Sequence, residues 1–275
     1  MRECIVLAGG FGTRLQHLIP GMPKCLAPVG GKPFIDYLIQ HLVTEKMDKF
    51  IFSLGYKSDM VESYIKTKFP HLNCEFCVES KPLGTGGAII YSLGKCTSDQ
   101  VFILNADTFY PISFDSFYKF YQKNKSGICI ALKPIVEPDR YGTVMMDDEH
   151  KIVQFLEKKY SPYGLINGGI YLIDRKWILE FELPEIFSFE TEILQKYTTT
   201  ENIFGMVQDV PFLDIGIPSD YEKAQTFLPE QLSTIKKDKF LFLDRDGVIN
   251  VLKENDYVRN ELEFNFLGDI LKELP

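Results

Sequence analysis

The chain has 275 residues, of which 45% are hydrophobic and 25% are charged, and its formal net charge is −8. This length suits one large domain or two smaller ones, and the composition is that of an ordinary globular protein. The acidic balance argues against nucleic acid and anionic membranes as partners, although a local basic site for phosphate is compatible with it. No apolar run reaches the length of a membrane span or of a signal-peptide core, so we expect a cytoplasmic protein.

Short apolar runs alternate with helical patterns in the first half of the chain. This alternation predicts an α/β fold in which helices flank a mostly parallel, Rossmann-like sheet. The predicted strands are 3–8, 50–55, 74–79, 101–106 and 127–132, and the predicted helices are 34–45, 59–68, 87–93 and 114–124. Ligands of such sheets bind outside the carboxyl ends of the strands, which directs attention to the loops that follow them.

The pattern changes in the second half, where we expect a smaller β-rich part of the same domain. The predicted strands there are 143–146 and 151–156, which form a hairpin, and 166–173 and 203–208. Ser219 follows a proline and is predicted to be the N-cap of a last helix that ends near residue 227. We therefore predict a first domain over 1–228, a polar linker over 229–238 and a separate unit over 239–275.

The six cysteines fit a reducing compartment. Cys74 and Cys77 form the only pair with the spacing of a metal or redox site, and no second pair answers it. Because both lie in a run that resembles a strand, we interpret this pair as structural.

A cationic glycine loop follows the first predicted strand. Gly9, Gly10 and Gly12 let the backbone approach a ligand and expose its amide donors, and Arg14 and Lys24 add two fixed charges. Such a turn at the end of a strand suits the phosphates of a nucleotide. The loop lacks the glycine that a Rossmann fingerprint needs at position 15, and the chain has no Walker string. A tight turn after an edge strand is the structural alternative.

The string from Leu7 to Leu15, together with Pro23-Lys24, resembles the signature loop of the sugar-1-phosphate nucleotidyltransferases. The resemblance implies transfer of a nucleoside monophosphate from a nucleoside triphosphate to a sugar 1-phosphate, with release of pyrophosphate. It also implies catalytic roles for Arg14, Lys24 and a carboxylate further along the chain. The nucleotide-binding residues that it implies in this loop are Leu7, Ala8, Gly9, Gly10, Gly12 and Thr13.

Two carboxylates are the predicted ligands of Mg²⁺. Asp107 directly follows an apolar strand, where a carboxylate is costly unless it is exposed or paired, and Mg²⁺ prefers one or two carboxylates plus waters and phosphates. Asp107 is also the third residue with an implied catalytic role, and an N-cap is its structural alternative. Asp214 lies in a string similar to the family's W-x-D-x-G-T-P, although Phe212 and Ile217 replace the Trp and the Thr. A turn aspartate is the alternative for Asp214.

A second glycine-rich loop, from Pro82 to Ala88, is similar to the family loop that holds the base. The resemblance implies base contacts from Pro82, Gly84 and Thr85. Glu79 lies just upstream, and an ionised carboxylate accepts from the two adjacent donors of guanine better than from the single donor of uracil. Glu79 therefore favours GTP, and a solvent-facing strand end is its structural alternative.

Two further strings resemble the sugar-binding motifs of the family. The first, F-L-E-K at 155–158, matches F-x-E-K, whose glutamate contacts sugar hydroxyls and whose lysine binds the sugar phosphate. On its own an E-K pair is more typical of a solvated surface. The second, N-G-G-I-Y at 167–171, resembles N-[AG]-G-I-Y, whose glycines let a pyranose lie against the backbone. The sugar-binding residues that the two strings imply are Glu157, Lys158, Asn167, Gly168 and Gly169.

A third resemblance begins beyond the predicted linker. Asp244 and Asp246, in D-R-D-G after an apolar strand, resemble the nucleophile and the acid–base aspartate of haloacid-dehalogenase-type phosphatases. Later residues narrow the match to histidinol and heptose-bisphosphate phosphatases. The other motifs of that family have no room in 239–275, and so short a segment cannot bury a core of its own. We therefore expect an incomplete phosphatase fragment.

The sequence thus predicts a nucleotidyltransferase whose partners are a nucleoside triphosphate, with GTP favoured, a sugar 1-phosphate and Mg²⁺. The phosphatase resemblance favours a heptose, since such a phosphatase makes heptose 1-phosphate. Mannose 1-phosphate and, with UTP, N-acetylhexosamine or muramate 1-phosphate stay open as acceptors. A phosphatase with a scaffold domain and a non-catalytic sugar-nucleotide sensor are alternatives from other classes. The oligomeric state is also open, a homo-oligomer included.

Overall fold

The computed structural model describes residues 1–124, 126–138, 141–156 and 161–234, with side chains as far as residue 230. The strands are β1 (Glu3–Ala8), β2 (Pro28–Val29), β3 (Lys32–Pro33), β4 (Lys49–Leu54), β5 (Cys74–Val78), β6 (Gln100–Asn105), β7 (Thr108–Phe109), β8 (Ile128–Val136), β9 (Thr143–Met146), β10 (Ile152–Leu156), β11 (Tyr163–Asp174), β12 (Ile203–Val207) and β13 (Leu213–Asp214). The α-helices are α1 (Phe34–Thr44), α2 (Ser58–Lys68), α3 (Gly84–Leu93), α4 (Phe114–Asn124), α5 (Arg175–Leu179) and α6 (Pro218–Thr234). None of these helices has the length and apolar character that crossing a membrane requires.

The chain divides into two compact units, Met1–Leu232 and Ser233–Pro275. The second unit lies outside the described residues apart from the end of α6. Asp244 and Asp246, and with them the predicted phosphatase fragment, therefore also lie outside the described residues.

One sheet contains nine of the strands in the described ranges, and its main path is β10-β9-β11-β6-β1-β4-β5. Strand β8 leaves this path and pairs with β11 and β12. The strands of the first half pair in parallel, β1 with β4 and β6, and β4 with β5. In the second half, β11 runs antiparallel to β6, β8 and β9. The predicted α/β class is confirmed, and each antiparallel pair of strands that the described residues form in this sheet includes β9 or β11 from the predicted β-rich part.

The hydrophobic core lies on both faces of this sheet. Side chains alternate between the faces along a strand, so neighbouring residues of one strand belong to different core clusters. On one face the central strands contribute Val6, Phe52 and Leu104, and on the other they contribute Ile5, Ile51 and Ile103. Burial on both faces explains why β1, β4 and β6 are continuous apolar runs rather than alternating ones.

Helix α6 departs from the sequence prediction at both ends. It begins at Pro218, so Ser219 lies inside the helix and is not its N-cap. It continues past Pro229 to Thr234, so the first part of the predicted linker is helical. A proline inside a helix costs about 3 kcal/mol. Packing offsets this cost, since Leu228 is fully buried and the Pro229 ring lies where a Cβ on Gly30 would be.

Candidate active site

The glycine loop lies at the carboxyl edge of the sheet, where β1 ends between β4 and β6. Gly12 has a φ of 60° and precedes a single 3₁₀ turn, Thr13–Leu15. A Cβ at Gly12 would lie 3.1 Å from the Cβ of Lys24, in addition to the strain of a positive φ. Glycine at this position therefore allows the loop to pack closely against the segment that carries Lys24.

A cavity of about 210 Å³ opens beside the loop. It combines loop backbone with two cationic side chains and one carboxylate, a set of groups that suits a metal-bound polyphosphate. The sequence-predicted residues that line it are Leu7, Ala8, Gly10, Gly12, Thr13, Arg14, Lys24 and Asp107.

Lys24 joins the two predicted metal ligands. Its Nζ lies 2.5 Å from Oδ2 of Asp107 and 3.5 Å from Oδ1 of Asp214. Asp214 reaches this point because β13 pairs antiparallel with β7, which places Asp214 opposite Thr108. The side chains of Lys24 and Asp214 are 11% and 17% exposed. Burial, together with the neighbouring Asp107 charge, raises the pKa of Asp214.

The two carboxylates beside Lys24 are oxygen ligands of the kind that Mg²⁺ prefers. Two carboxylates already hold one cation, the ammonium of Lys24, between them. Within the described residues no group of three or more His, Cys, Asp or Glu side chains could hold a metal. Two carboxylates suit Mg²⁺ nevertheless, because that ion completes its octahedral shell with waters and substrate phosphates.

A second cavity, of about 340 Å³, adjoins the first and shares Leu7, Gly10 and Asp107 with it. The sequence-predicted residues that line the second cavity but not the first are Gly9, Glu79, Pro82, Gly84 and Thr85. Oε2 of Glu79 accepts a hydrogen bond of 3.0 Å from the Leu83 N–H. Burial raises the pKa of Glu79, and the Leu83 hydrogen bond opposes that rise. The structure thus brings together the two glycine-rich loops that the sequence singled out separately.

The second sugar-motif string lies on β11, at a register shift between Asn167 and Tyr171. Gly169 has a φ of 71° and donates its N–H to Oδ1 of Asn167 over 3.0 Å. Gly169 also packs against Asn105, whose Nδ2 lies 2.6 Å from the place of an added Cβ. Because Asn105 lines the second cavity, this string lies directly behind a residue of the cavity wall. Glu157 and Lys158, the other predicted sugar residues, lie outside the described residues.

Several residues that line the cavities were not predicted from the sequence. Cys25 and Gly216 line the first cavity, whereas Phe11, Asn105 and Glu190 line the second. Asn105 could have been found, since it ends β6 two residues before Asp107. Glu190 has no such signal, because it follows none of the strands at the carboxyl edge and belongs to no motif. Only the packing of its segment against α3 brings it to the cavity.

The comparisons with known proteins match the first of the two compact units, Met1–Leu232. The family model described as Nucleotidyl transferase matches residues 3–231. A D-glycero-alpha-D-manno-heptose 1-phosphate guanylyltransferase of Aneurinibacillus thermoaerophilus is 40% identical over 224 residues, which cover 81% of this chain and 96% of that protein. A protein of the same description from Campylobacter jejuni is 38% identical and covers 80% of this chain and 96% of its own length.

A solved structure gives a matching result. HddC from Yersinia pseudotuberculosis superposes with a TM-score of 0.74 at 31% identity, covering 82% of this chain and 98% of that one. A second HddC structure, complexed with GMP-PN, gives the same values. The family model covers well over half of the chain, and it includes both glycine-rich loops, Asp107 and Asp214. The protein therefore belongs to the nucleotidyl transferase family.

Proposed function

We propose that this protein is a sugar-1-phosphate guanylyltransferase that transfers GMP from GTP to D-glycero-α-D-manno-heptose 1-phosphate and releases pyrophosphate. The observation that carries the proposal is the meeting of Arg14 and Lys24 with Asp107 and Asp214 at one edge of the sheet. The names of the two bacterial relatives support the choice of base and sugar.

The reaction is a displacement at phosphorus. An oxygen of the sugar phosphate attacks the α-phosphorus of GTP, the bond to the bridging oxygen of the β-phosphate breaks, and pyrophosphate leaves. No covalent intermediate with the protein is required. Catalysis therefore rests on positioning the two substrates and on stabilising the charge that develops.

The two cations divide this work between them. Arg14 is exposed at the mouth of the first cavity, where its guanidinium can bind the departing pyrophosphate through two parallel hydrogen bonds. Lys24 is held deeper, against Asp107, and its ammonium can turn from that carboxylate to the α-phosphate. We assign Arg14 to the leaving group and Lys24 to the phosphorus that is attacked.

Asp107 and Asp214 would hold Mg²⁺. When bound, this ion neutralises the charge of the triphosphate and helps to align it. The chain itself fixes the orientation of Asp214, whose Oδ1 accepts a hydrogen bond of 2.7 Å from the Gly216 N–H. Asp107 Oδ1 lies 3.3 Å from the Thr108 hydroxyl that donates to it.

Glu79 is the proposed reader of guanine. Its Oε2 is fixed by Leu83, so the carboxylate faces the second cavity in one orientation. An ionised carboxylate can accept from N1–H and the 2-amino group together, which only guanine presents side by side. Glu157 and Lys158 stay in the proposal as contacts to the sugar hydroxyls and the sugar phosphate, on the strength of their motif.

A pyrophosphate-release assay over four nucleoside triphosphates and a set of sugar 1-phosphates tests the proposal. GTP with the heptose 1-phosphate is expected to give the highest kcat/KM, and mass spectrometry is expected to find GDP-heptose. Arg14→Ala serves as the inactive control. A UDP-sugar as the main product would contradict the assignment of the base, and a better acceptor among the hexose phosphates would contradict the assignment of the sugar.

Two outcomes separate the alternative classes. Inorganic phosphate release from a heptose bisphosphate would favour a phosphatase. Nucleotide-sugar binding without any pyrophosphate release would favour a sensor.

A further inference from the structure

Glu190 lies in the second cavity without a role in the mechanism above. It lines that cavity together with Glu79, Asn105 and Asp107. It is also the first residue of a π-helical segment, Glu190–Gln195. Such wide turns are rare and often occur at functional sites, because they turn a side chain away from its regular direction.

The carboxylate of Glu190 is held at one oxygen. Its Oε2 accepts hydrogen bonds from the Thr85 hydroxyl at 2.8 Å and from the Ser188 hydroxyl at 3.0 Å. The Thr85 hydroxyl in turn accepts from the Phe189 N–H at 2.9 Å. Among the described residues, no hydrogen bond reaches Oε1 of Glu190. The carboxylate therefore has a fixed orientation and retains one oxygen that can accept from a ligand.

The segment before Glu190 is seated on the start of α3. Gly86 donates its N–H to the Phe187 carbonyl at 3.0 Å, and Phe187 donates to the Leu83 carbonyl at 3.0 Å. A Cβ at Gly86 would overlap the Phe187 ring, so glycine is required there for close approach. The glycines of the predicted base loop thus also dock a distant segment, and that docking places Glu190 beside Thr85.

The neighbour of Glu190 in the chain, Phe189, packs edge-on against Tyr171 of the sugar-motif string, with ring centroids 5.1 Å apart. Tyr171 is buried, and burial together with the nearby Glu190 charge raises its pKa. Asn167 donates from Nδ2 to the Tyr171 hydroxyl oxygen over 2.8 Å, and Gly169 donates to Asn167. Glu190 thus contacts the base loop through Thr85, and the residue before it, Phe189, contacts the sugar string through Tyr171.

We propose that Glu190 is a specificity residue whose free Oε1 accepts hydrogen bonds from hydroxyls of the acceptor sugar, and that Thr85 is a positioning residue that fixes its carboxylate. The inference rests on the proposed function. An ionised carboxylate only accepts, so it suits neighbouring hydroxyl donors, and such charge-assisted bonds are the strong ones. The ribose of the nucleotide offers hydroxyls of the same kind, and the kinetic test below separates the two sources.

Glu190→Gln and Glu190→Ala test the first part, with Glu192→Gln as the matched control. Glu192 lies on the same π-helical segment, but it pairs with Lys196 and does not line the cavity. We expect Glu190→Ala to raise KM for the sugar 1-phosphate about tenfold, as the loss of charge-assisted hydrogen bonds requires, while KM for GTP and kcat change by less than about threefold.

The opposite pattern overturns the inference. A rise in KM for GTP, with or without a rise for the sugar, would assign Glu190 to the ribose or to the fold. Kinetic constants equal to those of Glu192→Gln would remove any role in recognition. Glu190→Gln keeps the shape of the side chain and therefore keeps the test valid if the alanine variant does not fold.

Thr85→Val and Thr85→Ser test the second part. Valine removes the hydroxyl without changing the shape, so KM for the sugar 1-phosphate is expected to rise about threefold to tenfold, and serine is expected to restore it. In the Glu190→Ala background Thr85→Val should have no further effect on that KM, because the carboxylate it positions is gone. Additive effects of the two changes would contradict a positioning role.

The test also separates failure of the inference from failure of the proposed function. If the wild-type protein releases no pyrophosphate from GTP with any sugar 1-phosphate, the proposed function fails. If the wild-type protein is active and both Glu190 variants retain its KM for the sugar, only the role of Glu190 fails.

Discussion

The two ends of β1 carry charged clusters of opposite character. At the amino end, Glu3 is fully buried and accepts hydrogen bonds from the N–H and hydroxyl of Thr97 and from the Ser98 N–H. It also forms an ion pair with Lys49, whose Nζ lies 3.8 Å from Oε1 of Glu3. At the carboxyl end, Asp107 lines an open cavity and shares one lysine, Lys24, with Asp214. A saturated carboxylate stabilises the fold, whereas a carboxylate with spare acceptor capacity can bind a ligand.

The pKa values of Glu3 and Asp214 are shifted in opposite directions. Burial alone would raise the pKa of Glu3, but the hydrogen bonds from Ser98 and Thr97 and the Lys49 charge outweigh it, so the pKa is lowered. Burial and the Asp107 charge raise the pKa of Asp214, and Lys24 offsets them only in part. The surroundings of Glu3 thus favour its charged carboxylate. The surroundings of Asp214 disfavour its charged carboxylate, and a bound cation would offset that cost.

Asp107→Asn is expected to give the largest effect and to break the cavity cluster alone. Turnover should fall by about 10³-fold, because a metal ion contributes several kcal/mol of charge stabilisation to such reactions. The melting temperature should stay within the change caused by Asp148→Asn, an exposed surface control. Pyrophosphate release and thermal unfolding measure the two quantities. Substantial turnover in the asparagine variant would contradict the role of Asp107.

Lys24→Met is expected to affect both function and stability. Removing the ammonium leaves two adjacent carboxylates without their shared cation, which should lower the free energy of unfolding by about 1–2 kcal/mol and kcat at least about tenfold. Added Mg²⁺ should restore part of the lost stability, since it can take the place of the ammonium. Lys66→Met, which removes an exposed i,i+4 pair, is the control. An Mg²⁺ response no larger than that of the control would contradict a cation site between the carboxylates.

Glu3→Gln is expected to break the amino-end cluster alone. The amide cannot accept at both of its terminal atoms, so the free energy of unfolding should fall by about 2–3 kcal/mol, while kcat/KM at moderate temperature stays at the wild-type value. Urea denaturation measures the loss. Glu62→Gln, which removes only an exposed pair with Lys66, is expected to change stability by less than about 0.5 kcal/mol. Equal losses in the two variants would contradict the buried role of Glu3.

The pH dependence of the stability lost in Glu3→Gln is the smallest of the expected effects. A carboxyl group with a lowered pKa in the folded state contributes stability above its ordinary pKa of 4.5 and loses it as the pH falls through the folded value. The difference in stability between the wild-type protein and Glu3→Gln should therefore be full at neutral pH and shrink below about pH 4.5. A difference that stays constant or grows in acid would show that Glu3 does not act through its charge.

The glycine loop and Asp107 could be placed from the sequence, because both directly follow apolar strands. The carboxyl ends of parallel strands meet at one edge of a sheet, so residues far apart in the chain were expected to be neighbours. Asn105 could have been found by the same rule, since it ends β6. The contact of Asp214 with Lys24 could not be derived this way, since it depends on the short antiparallel pairing of β13 with β7.

Helix α6 and Glu190 show where local patterns stop being informative. Pro229 signals a helix end, yet burial of Leu228 and contact with Gly30 carry the helix past it. Glu190 carries no signal of its own, because its place depends on hydrogen bonds between its segment and α3. In both cases contacts between distant segments outweigh the local propensity.

The sequence by itself determined the α/β class and the place of the cationic glycine loop at a strand end, because strand ends and glycine turns are local features. Its motifs also carried the resemblance to the nucleotidyltransferase family. Only the tertiary structure decided which distant side chains meet one another beside that loop. Lys24 with its two aspartates and Glu190 with Thr85 are the main examples. Pairings of this kind join segments that are 83 or more residues apart in the chain, which no local pattern encodes.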